Sequence, residues 1–314
     1  MAERISIIVP VRDEEANIGR TLPAVRNAIP PGRDVEIVVV DGGSRDRTVE
    51  LSRELGARVV EVDPALARRN PALLRNRGAA AATGDRLVFL DADCEPRAGW
   101  LRALLDAHAR GWPVVGGSFD LPPGLSPWAR CDYYAGWYHM HSGRRAGPTV
   151  SAPPGNLSFD APAFRRTHGF DETPGIAYSH EELRPQGELR AAGIPIYFEP
   201  AAKVLHHNRP GVANLLARHY RWGYAAIRAK ADTGAARFQG VYRHPWLLVA
   251  AALPLSLPLS VYIVAAWARA GVLEPLLWWP AILASRVSYA LGMMIGGARW
   301  LATGTDPAAV PDPS

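Results

Sequence analysis

Short apolar runs alternate with segments of helical period over the first 110 residues. The runs predict β-strands at residues 5–9, 35–40, 58–62 and 86–90, and apolar residues spaced by three and four between them predict helices. Strands that are apolar on both faces and alternate with helices are typical of a parallel sheet covered on both sides. The pattern therefore predicts an α/β fold with a mostly parallel sheet.

Polar clusters come directly after three of these strands. They occupy residues 10–13, 41–44 and 91–93. Ligands of parallel sheets bind outside the carboxyl ends of the strands. We therefore expect the three clusters to meet at one edge of the sheet and to form a binding site there.

Two long apolar runs lie in the last quarter of the chain. Residues 246–267 carry no charge, and residues 275–298 are interrupted only by Arg286. Each run is long enough to cross a hydrocarbon layer of about 30 Å. Together they predict a transmembrane hairpin over 241–301, followed by a loose tail over 302–314. The pair Gly292 and Gly296 has the spacing of closely packed membrane helices.

The charges around these runs predict the orientation of the hairpin. The flank before the first run is basic, while the connection between the runs carries Arg269 alone, which places the front domain in the cytoplasm. An arginine in the middle of a membrane helix is costly, so Arg286 should snorkel, face the partner helix or meet a lipid phosphate. Buried helices of a soluble fold and helices lying flat in the membrane interface are the alternatives. The basic flank comprises Arg218, Arg221, Arg228, Lys230, Arg237 and Arg243.

Composition narrows the class of protein. A hydrophobic content of 48% excludes a disordered chain, and the two cysteines are too few for a disulfide framework or a cysteine-rich zinc site. No basic region followed by a secretory apolar core precedes the first strand. The net charge of +5 does not indicate a nucleic-acid partner, because the cations cluster beside the apolar runs, where lipid is the simpler partner.

Several side chains after the strands carry binding chemistry. The sequence Asp91-Ala92-Asp93 puts two carboxylates on one turn, where they could hold one hard divalent cation with its bound phosphate oxygens, or could simply cap a helix. Asp41 and Glu14 could accept hydrogen bonds from a base or a ribose, or could be caps. The pair Arg75-Asn76 offers a cation and an amide to a phosphate or a base edge, unless Arg75 is an ordinary surface residue.

Four segments of the chain resemble family-2 glycosyltransferases with the GT-A fold. They are VPVRDEEANI (9–18), DGGSRDRT (41–48), RNRGAAAATGDRLVFLDADCEP (75–96) and HGFDE (168–172), and they occur in the order found in that family. The resemblance implies a GT-A domain over 1–240, followed by the two membrane helices. Its residues 1–110 would be the nucleotide-sugar-binding half, and 111–240 the acceptor half with the basic juxtamembrane segment.

The resemblance also implies roles for single residues. Asp91 and Asp93 would hold a divalent metal ion, and His206 resembles the imidazole that some GT-A enzymes supply to the metal or the diphosphate. The segment from Arg218 to Trp222 resembles an element of processive synthases that stands near acceptor and diphosphate, with Arg221 as its second cation. The nucleotide pocket would be lined by Pro10, Val11, Glu14, Asp41, Arg75, Asn76, Asp91 and Ala92.

The general base is implied by a carboxylate pair. Glu181-Glu182 stands where the family commonly has Glu-Asp, so Glu182 would take the proton of the acceptor hydroxyl, with Glu181 as its neighbour. The alternative is that both residues merely begin a helix. Likewise, His206 could be a structural histidine, and the segment 218–222 could be a basic helix on anionic lipid headgroups.

These features together predict a membrane-associated, inverting glycosyltransferase that uses Mg²⁺ or Mn²⁺. It would move a single sugar from a nucleoside-diphosphate sugar, with UDP favoured, to a hydroxyl or phosphate acceptor that is lipid-borne, in glycolipid or cell-envelope glycan synthesis. The predicted location is the inner plasma membrane, multi-pass, with the catalytic domain cytoplasmic. A catalytically silent nucleotide-sugar-binding scaffold is the alternative. Nucleotidyl transfer is disfavoured because no glycine-rich phosphate loop follows the first strand.

Overall fold

A computed structural model of the chain describes residues 3–68, 70–233, 239–242 and 244–303. Within these residues, one mixed β-sheet is flanked by helices. The strands are β1 (Arg4–Val11), β2 (Asp34–Asp41), β3 (Arg58–Glu61), β4 (Arg86–Leu90), β5 (Cys94–Pro96), β6 (Val114–Asp120), β7 (Gly147–Thr149), β8 (Asn156–Asp160) and β9 (Ile196–His206). The helices up to β9 are α1 (Glu15–Ala28), α2 (Thr48–Glu54), α3 (Pro64–Ala67), α4 (Pro71–Ala81), α5 (Trp100–Ala109), α6 (Pro127–Trp137), α7 (Ala161–Arg165) and α8 (Leu183–Ala191).

The sheet has the strand order β3-β2-β1-β4-β8-β6-β9-β5, and β7 pairs with β9. Strands β1 to β4 are parallel neighbours, as the apolar runs predict. Strand β8 runs antiparallel to both β4 and β6, while β6 and β9 are parallel. The α/β class and the mostly parallel first half are therefore confirmed, and β8, which is antiparallel to both of its neighbours, lies in a segment where no strand was predicted.

The core forms around β1, which is apolar on both faces. Ile7 and Ile8 point to opposite sides of the strand, and both are fully buried. Helix α4 packs so closely on this strand that a Cβ on Gly78 would lie 2.3 Å from Ile8 Cγ2. This close approach holds the first half of α4, including Arg75, against the carboxyl ends of the parallel strands.

The first apolar run does not form the single membrane helix that its composition predicts. It is divided into α11 (Pro245–Ala251) and α12 (Ser256–Arg269), which are bent by 84°. Pro254 and Pro258 explain the break, because proline lacks the N–H that continues a helix and its ring clashes with the preceding turn. The predicted multi-pass hairpin is therefore not supported.

The second run does form one long helix. After a 3₁₀ turn (Glu274–Leu276), α13 (Trp279–Thr303) is the one helix in the described chain that is by itself long and apolar enough to cross a membrane. It packs along α9 (Val212–Thr233), and the short α10 (Gln239–Tyr242) follows α9. A Cβ on Gly223 of α9 would lie 1.9 Å from the carbonyl oxygen of Tyr289, and a Cβ on Gly292 would lie 2.1 Å from that of Tyr220.

The small-residue pair of α13 thus packs against a helix of the front domain. A Cβ on Gly296 would meet the Tyr224 carbonyl oxygen at 2.0 Å. The division of the chain at residue 240 stays a prediction. The tail predicted over 302–314 lies outside the described residues from 304 onward, as do Arg237 and Arg243 of the basic flank.

Candidate active site

A cavity of about 860 Å³ lies where β1 and β4 end. Its wall brings together residues from the strand ends, from α4, from the segment before α8 and from α9. The sequence-predicted residues on this wall are Pro10, Val11, Glu14, Arg75, Asp91, Ala92, Asp93, Glu181, Glu182, His206, Arg218, Arg221 and Trp222. Side chains separated by more than 200 positions in the sequence therefore share one cavity.

Two predicted residues, Asp41 and Asn76, are not on the cavity wall. The Asp41 carboxylate accepts hydrogen bonds from the backbone N–H groups of Gly43 and Ser44, at 2.9 and 3.1 Å, and from the Ser44 hydroxyl, so its own turn uses it. The Asn76 amide donates to the Phe170 carbonyl oxygen at 2.9 Å and accepts from the Phe170 N–H. Both side chains hold loops beside the cavity, and their contact with a nucleotide stays a prediction.

Asp93 and His206 form the centre of the candidate metal site. His206 Nε2 lies 3.7 Å from Asp93 Oδ2, and Cys94 completes a group whose ligand atoms lie within 4.8 Å of one another. Asp93 lies between β4 and β5, and His206 is the last residue of β9. The pairing of β5 with β9 brings these two side chains together. A carboxylate and an imidazole suit Mn²⁺ or Mg²⁺ better than a buried thiol does.

The hydrogen bonds behind His206 determine which of its nitrogens faces the metal site. Asp132 accepts a hydrogen bond from the Asn208 amide nitrogen at 2.7 Å, so the Asn208 oxygen must point the other way. That oxygen lies 2.7 Å from His206 Nδ1 and accepts its proton. The Nε2 atom is therefore unprotonated and lies 3.7 Å from Asp93 Oδ2 and 3.5 Å from the Arg218 Nη2 donor. Metal-binding histidines commonly have such a partner behind them, so these residues fit a divalent cation.

Asp91 has a different environment from Asp93. Its Oδ1 accepts a hydrogen bond from Arg75 Nη2 at 2.5 Å, and Arg75 Nη1 donates to Glu181 Oε1, also at 2.5 Å. A Cβ on Gly155 would lie 2.6 Å from Asp91 Oδ2, so a loop of the second half covers this carboxylate. Of the three predicted metal ligands, the structure groups Asp93 with His206 and pairs Asp91 with Arg75.

Glu181 and Glu182 are both buried beside this arginine, directly before α8. Burial raises the pKa of Glu181 to about 7, although the Arg75 charge acts to lower it. Burial and then the Glu181 charge raise the pKa of Glu182 well above its usual value. One oxygen of each carboxyl group has no hydrogen-bond partner within the described part of the chain. Glu182 stands at the N-cap position of α8 without a side-chain capping bond, so the capping alternative is not what the structure has.

Arg218, Arg221 and Trp222 come from successive turns of α9. Arg218 donates to Asp132 Oδ2 at 2.6 Å and lies 4.7 Å from the Trp222 ring centroid. Arg221 contacts the Tyr178 ring at 5.3 Å, and among the described residues it has no carboxylate within 4 Å. Cations with this placement suit an anionic substrate group.

Two residues of the site, Asp132 and Lys230, were not predicted as site residues by the sequence analysis. Asp132 lies inside the aromatic segment of α6, where nothing in the local pattern distinguishes it from a capping or surface aspartate. Burial acts to raise the pKa of Asp132, but the Arg218 charge and the contacts with His219 and Asn208 hold it well below its usual range. Lys230 also lines the cavity, and only its membership of the basic flank pointed to it.

Comparisons with known proteins give the family. The family model described as "Glycosyl transferase family 2" matches residues 6–166. A pre-mycofactocin glycosyltransferase of Mycobacterium tuberculosis is 32% identical over 233 residues, which is 71% of this chain and 46% of that protein. Glycosyltransferase AglE of Haloferax volcanii is 33% identical over 135 residues, covering 41% of this chain and 44% of that protein. The chain thus spans less than half the length of these curated relatives.

Solved structures give the fold. The mannosyltransferase PcManGT of Pyrobaculum calidifontis, in complex with GDP-Man and Mn²⁺, superposes with a TM-score of 0.63 at 21% identity, over 97% of this chain and 88% of that one. Residues 1–349 of S. aureus TarS, in complex with UDP-GlcNAc, give a TM-score of 0.54 at 16% identity, over 96% and 92%. The GT-A fold implied by the resemblance is confirmed.

Proposed function

Because the chain belongs to glycosyl transferase family 2, we propose that its cavity transfers a single sugar from a nucleoside-diphosphate sugar to an acceptor. The observation that carries this proposal is that Asp93, Glu182 and Arg218 line the same cavity. A metal ligand, a carboxyl group and a cation are the three groups that such a transfer needs around the anomeric carbon. Membership of this family makes the catalytically silent scaffold the weaker interpretation.

Asp93 and His206 are the residues proposed to hold a divalent cation, Mn²⁺ or Mg²⁺, with Asp91 beside them. A bound cation of this kind offsets the negative charge that develops on a departing diphosphate. Arg218 and Arg221 supply further positive charge on the α9 side of the cavity. Pro10, Val11, Glu14, Arg75 and Ala92 are proposed to contact the nucleotide sugar.

Where the acceptor is a hydroxyl, Glu182 is proposed to take its proton in an inverting transfer, whereas a phosphate acceptor is already ionised and needs no base. Burial and then the Glu181 charge raise the pKa of Glu182, so the role as a base requires the carboxyl group to ionise in the complex. Lys230 lies close enough to lower the pKa of Glu182, and a cation beside a general base acts in the required direction. Glu181 is held by Arg75 and is proposed to fix the position of that arginine.

Membrane association is proposed from the surface of α12. Its inner side buries Ser256 and Ser260, while Leu257 and Leu259 on its outer side are about half exposed, at 52% and 47%. A helix whose polar side faces the protein and whose apolar side faces outward is suited to contact lipid. An acceptor borne on a lipid would reach the cavity from this side, in the inner membrane with the cavity in the cytoplasm.

The test is a donor panel with the detergent-solubilised full chain. UDP-, GDP- and dTDP-sugars are each incubated with Mn²⁺ or Mg²⁺, with and without a membrane lipid extract, and released nucleoside diphosphate is measured. We expect release from one donor to depend on metal, to be abolished by Asp93→Ala and to be retained in the control Asp106→Ala, which removes an exposed carboxylate on α5. Release that is equal in Asp93→Ala and in the unaltered protein would contradict the proposed metal site.

The base assignment is tested with the same donor once it is known. Glu182→Gln should abolish transfer to a hydroxyl acceptor. Loss in Glu181→Gln with full activity in Glu182→Gln would instead move the base by one residue.

A further inference from the structure

One part of the cavity is lined by two cations, of which the proposed transfer chemistry uses Lys230 only to lower the pKa of Glu182 and does not use Arg286. Arg286 reaches it from α13 and Lys230 from α9, beside Tyr138, His139 and Tyr289. The His139 side chain is exposed, and the charges of Arg144, Lys230 and Arg286 act to lower its pKa. The two cations therefore stand close to the same histidine.

Arg286 is the side chain that most needs an explanation, because it is the one charge in the middle of the apolar helix α13. It donates a hydrogen bond to His219 Nδ1 and lies 5.1 Å from the Tyr289 ring centroid. Within the described residues, no carboxylate oxygen lies within 4 Å of its guanidinium nitrogens. A guanidinium in an apolar helix is costly to keep unless it meets an anion.

The carboxyl groups nearest to this region offer it little negative charge. Asp132 is paired with Arg218 at 2.6 Å, and burial and then the Glu181 charge raise the pKa of Glu182, which disfavours its charged form. His219, which separates Arg286 from Asp132, is neutral because burial and then the Arg286 charge lower its pKa to about 4. This part of the cavity therefore keeps a positive charge that a further anion would offset.

The position of these cations assigns them to the acceptor. His206 Nε2 lies 3.7 Å from Asp93 Oδ2 and Arg218 Nη2 lies 3.5 Å from His206 Nε2, whereas Arg286 contacts His219 and the Tyr289 ring on the α13 side of the cavity. Lys230 instead acts on Glu182, the proposed base, and on His180. The donor diphosphate belongs with the metal at Asp93, so a second anion beside Glu182 belongs to the other substrate.

We infer that Arg286 and Lys230 form a binding site for a phosphate group carried by a lipid acceptor. This inference rests on the proposed function and deepens it, because it names the chemistry of the acceptor. Arg286 presents a planar set of donors that matches phosphate oxygens. The lipid part follows from its place on α13, the most apolar long helix of the described chain, beside the outward-facing apolar side of α12.

The experiment measures binding rather than turnover, so it needs no knowledge of the sugar. Farnesyl phosphate, farnesol and inorganic phosphate are titrated onto the full chain in dodecyl maltoside at fixed detergent concentration, and the tryptophan fluorescence is followed. We expect farnesyl phosphate to bind at least about tenfold more tightly than farnesol or inorganic phosphate, as one charge-assisted contact implies. Arg286→Gln should remove about tenfold of that affinity and leave farnesol binding unchanged. Arg286→Lys, which keeps the charge, should lose less.

The matched control is Arg269→Gln, which removes an exposed arginine at the end of α12 by the same substitution. Its affinity for farnesyl phosphate should equal that of the unaltered protein. If Arg269→Gln lost as much affinity for farnesyl phosphate as Arg286→Gln, the phosphate would be attracted to surface charge in general. If Arg286→Gln lost as much affinity for farnesol as for farnesyl phosphate, the substitution would have disturbed the packing of the apolar part of the ligand. Either result overturns the site. Inorganic phosphate binding as tightly as farnesyl phosphate would overturn its assignment to a lipid. Metal-dependent nucleoside diphosphate release in the same preparations tests the proposed function separately.

Discussion

Asp132 contacts Arg218 on α9 and, through Asn208, the metal-site residue His206, and its substitution gives the sharpest test of the proposed metal site. Its Oδ2 accepts from Arg218 at 2.6 Å and from Asn208 at 2.7 Å, and Asn208 in turn holds His206. Asp132→Asn keeps the shape of the side chain but removes its charge. The Asn208 amide then loses the partner that fixes its orientation, so His206 is free to turn Nδ1 toward the metal site. We therefore expect weaker metal binding in a protein that still folds.

The size of the effect follows from the contacts that are lost. Residues behind a metal ligand typically contribute a factor of about 10–100 in metal affinity, which corresponds to about 1.4–2.8 kcal/mol. The contact with Arg218 is a separate charge-assisted bond, and its loss should lower the free energy of unfolding by about 1.5–3 kcal/mol. Asn208→Ala should produce the first effect without the second, because Arg218 remains paired with Asp132.

The assay is the Mn²⁺ concentration that gives half-maximal nucleoside diphosphate release, measured for both single variants and for the double variant. If Asp132 acts on the metal through Asn208, the double variant should need no more Mn²⁺ than the worse single variant. Asp160→Asn is the control. Asp160 is the last residue of β8 and pairs with Arg86, the first residue of β4, so this substitution should leave the Mn²⁺ requirement unchanged. Additive effects, or an unchanged Mn²⁺ requirement in folded Asp132→Asn, would refute the reasoning.

Three further predictions test packing, charge and membrane contact. Gly292→Ala should lower the free energy of unfolding by about 1–3 kcal/mol, because its Cβ would lie 2.1 Å from a carbonyl oxygen of α9. Gly19→Ala in α1 is the control: a Cβ there has no atom within 4 Å, so the free energy of unfolding should rise by about 0.5–1 kcal/mol. Burial raises the pKa of folded Glu181 from 4.5 to about 7, so the free energy of unfolding should fall as the pH rises between these values, and Glu181→Gln should make that fall smaller by about 3 kcal/mol while the part due to Glu182 remains. Leu257→Glu, at an exposed position, should reduce cosedimentation with liposomes while the melting temperature stays unchanged.

The first half of the fold was predictable because each strand there carries its own signal. The run 86–90 predicts β4 to the residue, and β1 and β2 extend their predicted strands by one or two residues at each end. A buried parallel strand is apolar on both faces, so its residues alone reveal it. Strand β8 gives no such signal, because its place between β4 and β6 depends on partners far away in the sequence. The prediction of one continuous helix over the apolar run 246–267 failed for a local reason, because Pro254 and Pro258 break the helix that its hydropathy predicts.

The candidate site residues that follow strands were the most readily predictable from the sequence. Asp91 and Asp93 were predicted because they follow β4, and the approach of Asp93 to His206 requires only the pairing of β5 with β9. Asp132 and Arg286 belong to a different class, because each is a single charge inside an aromatic or apolar segment. What makes them functional candidates is the contact sequence from Arg286 through His219, Asp132 and Asn208 to His206, which crosses three helices and a strand end. No periodicity records such a connection. A charge that breaks a hydrophobic pattern is nevertheless a signal in itself, because a side chain that is costly to keep in an apolar helix has to be compensated by what it contacts.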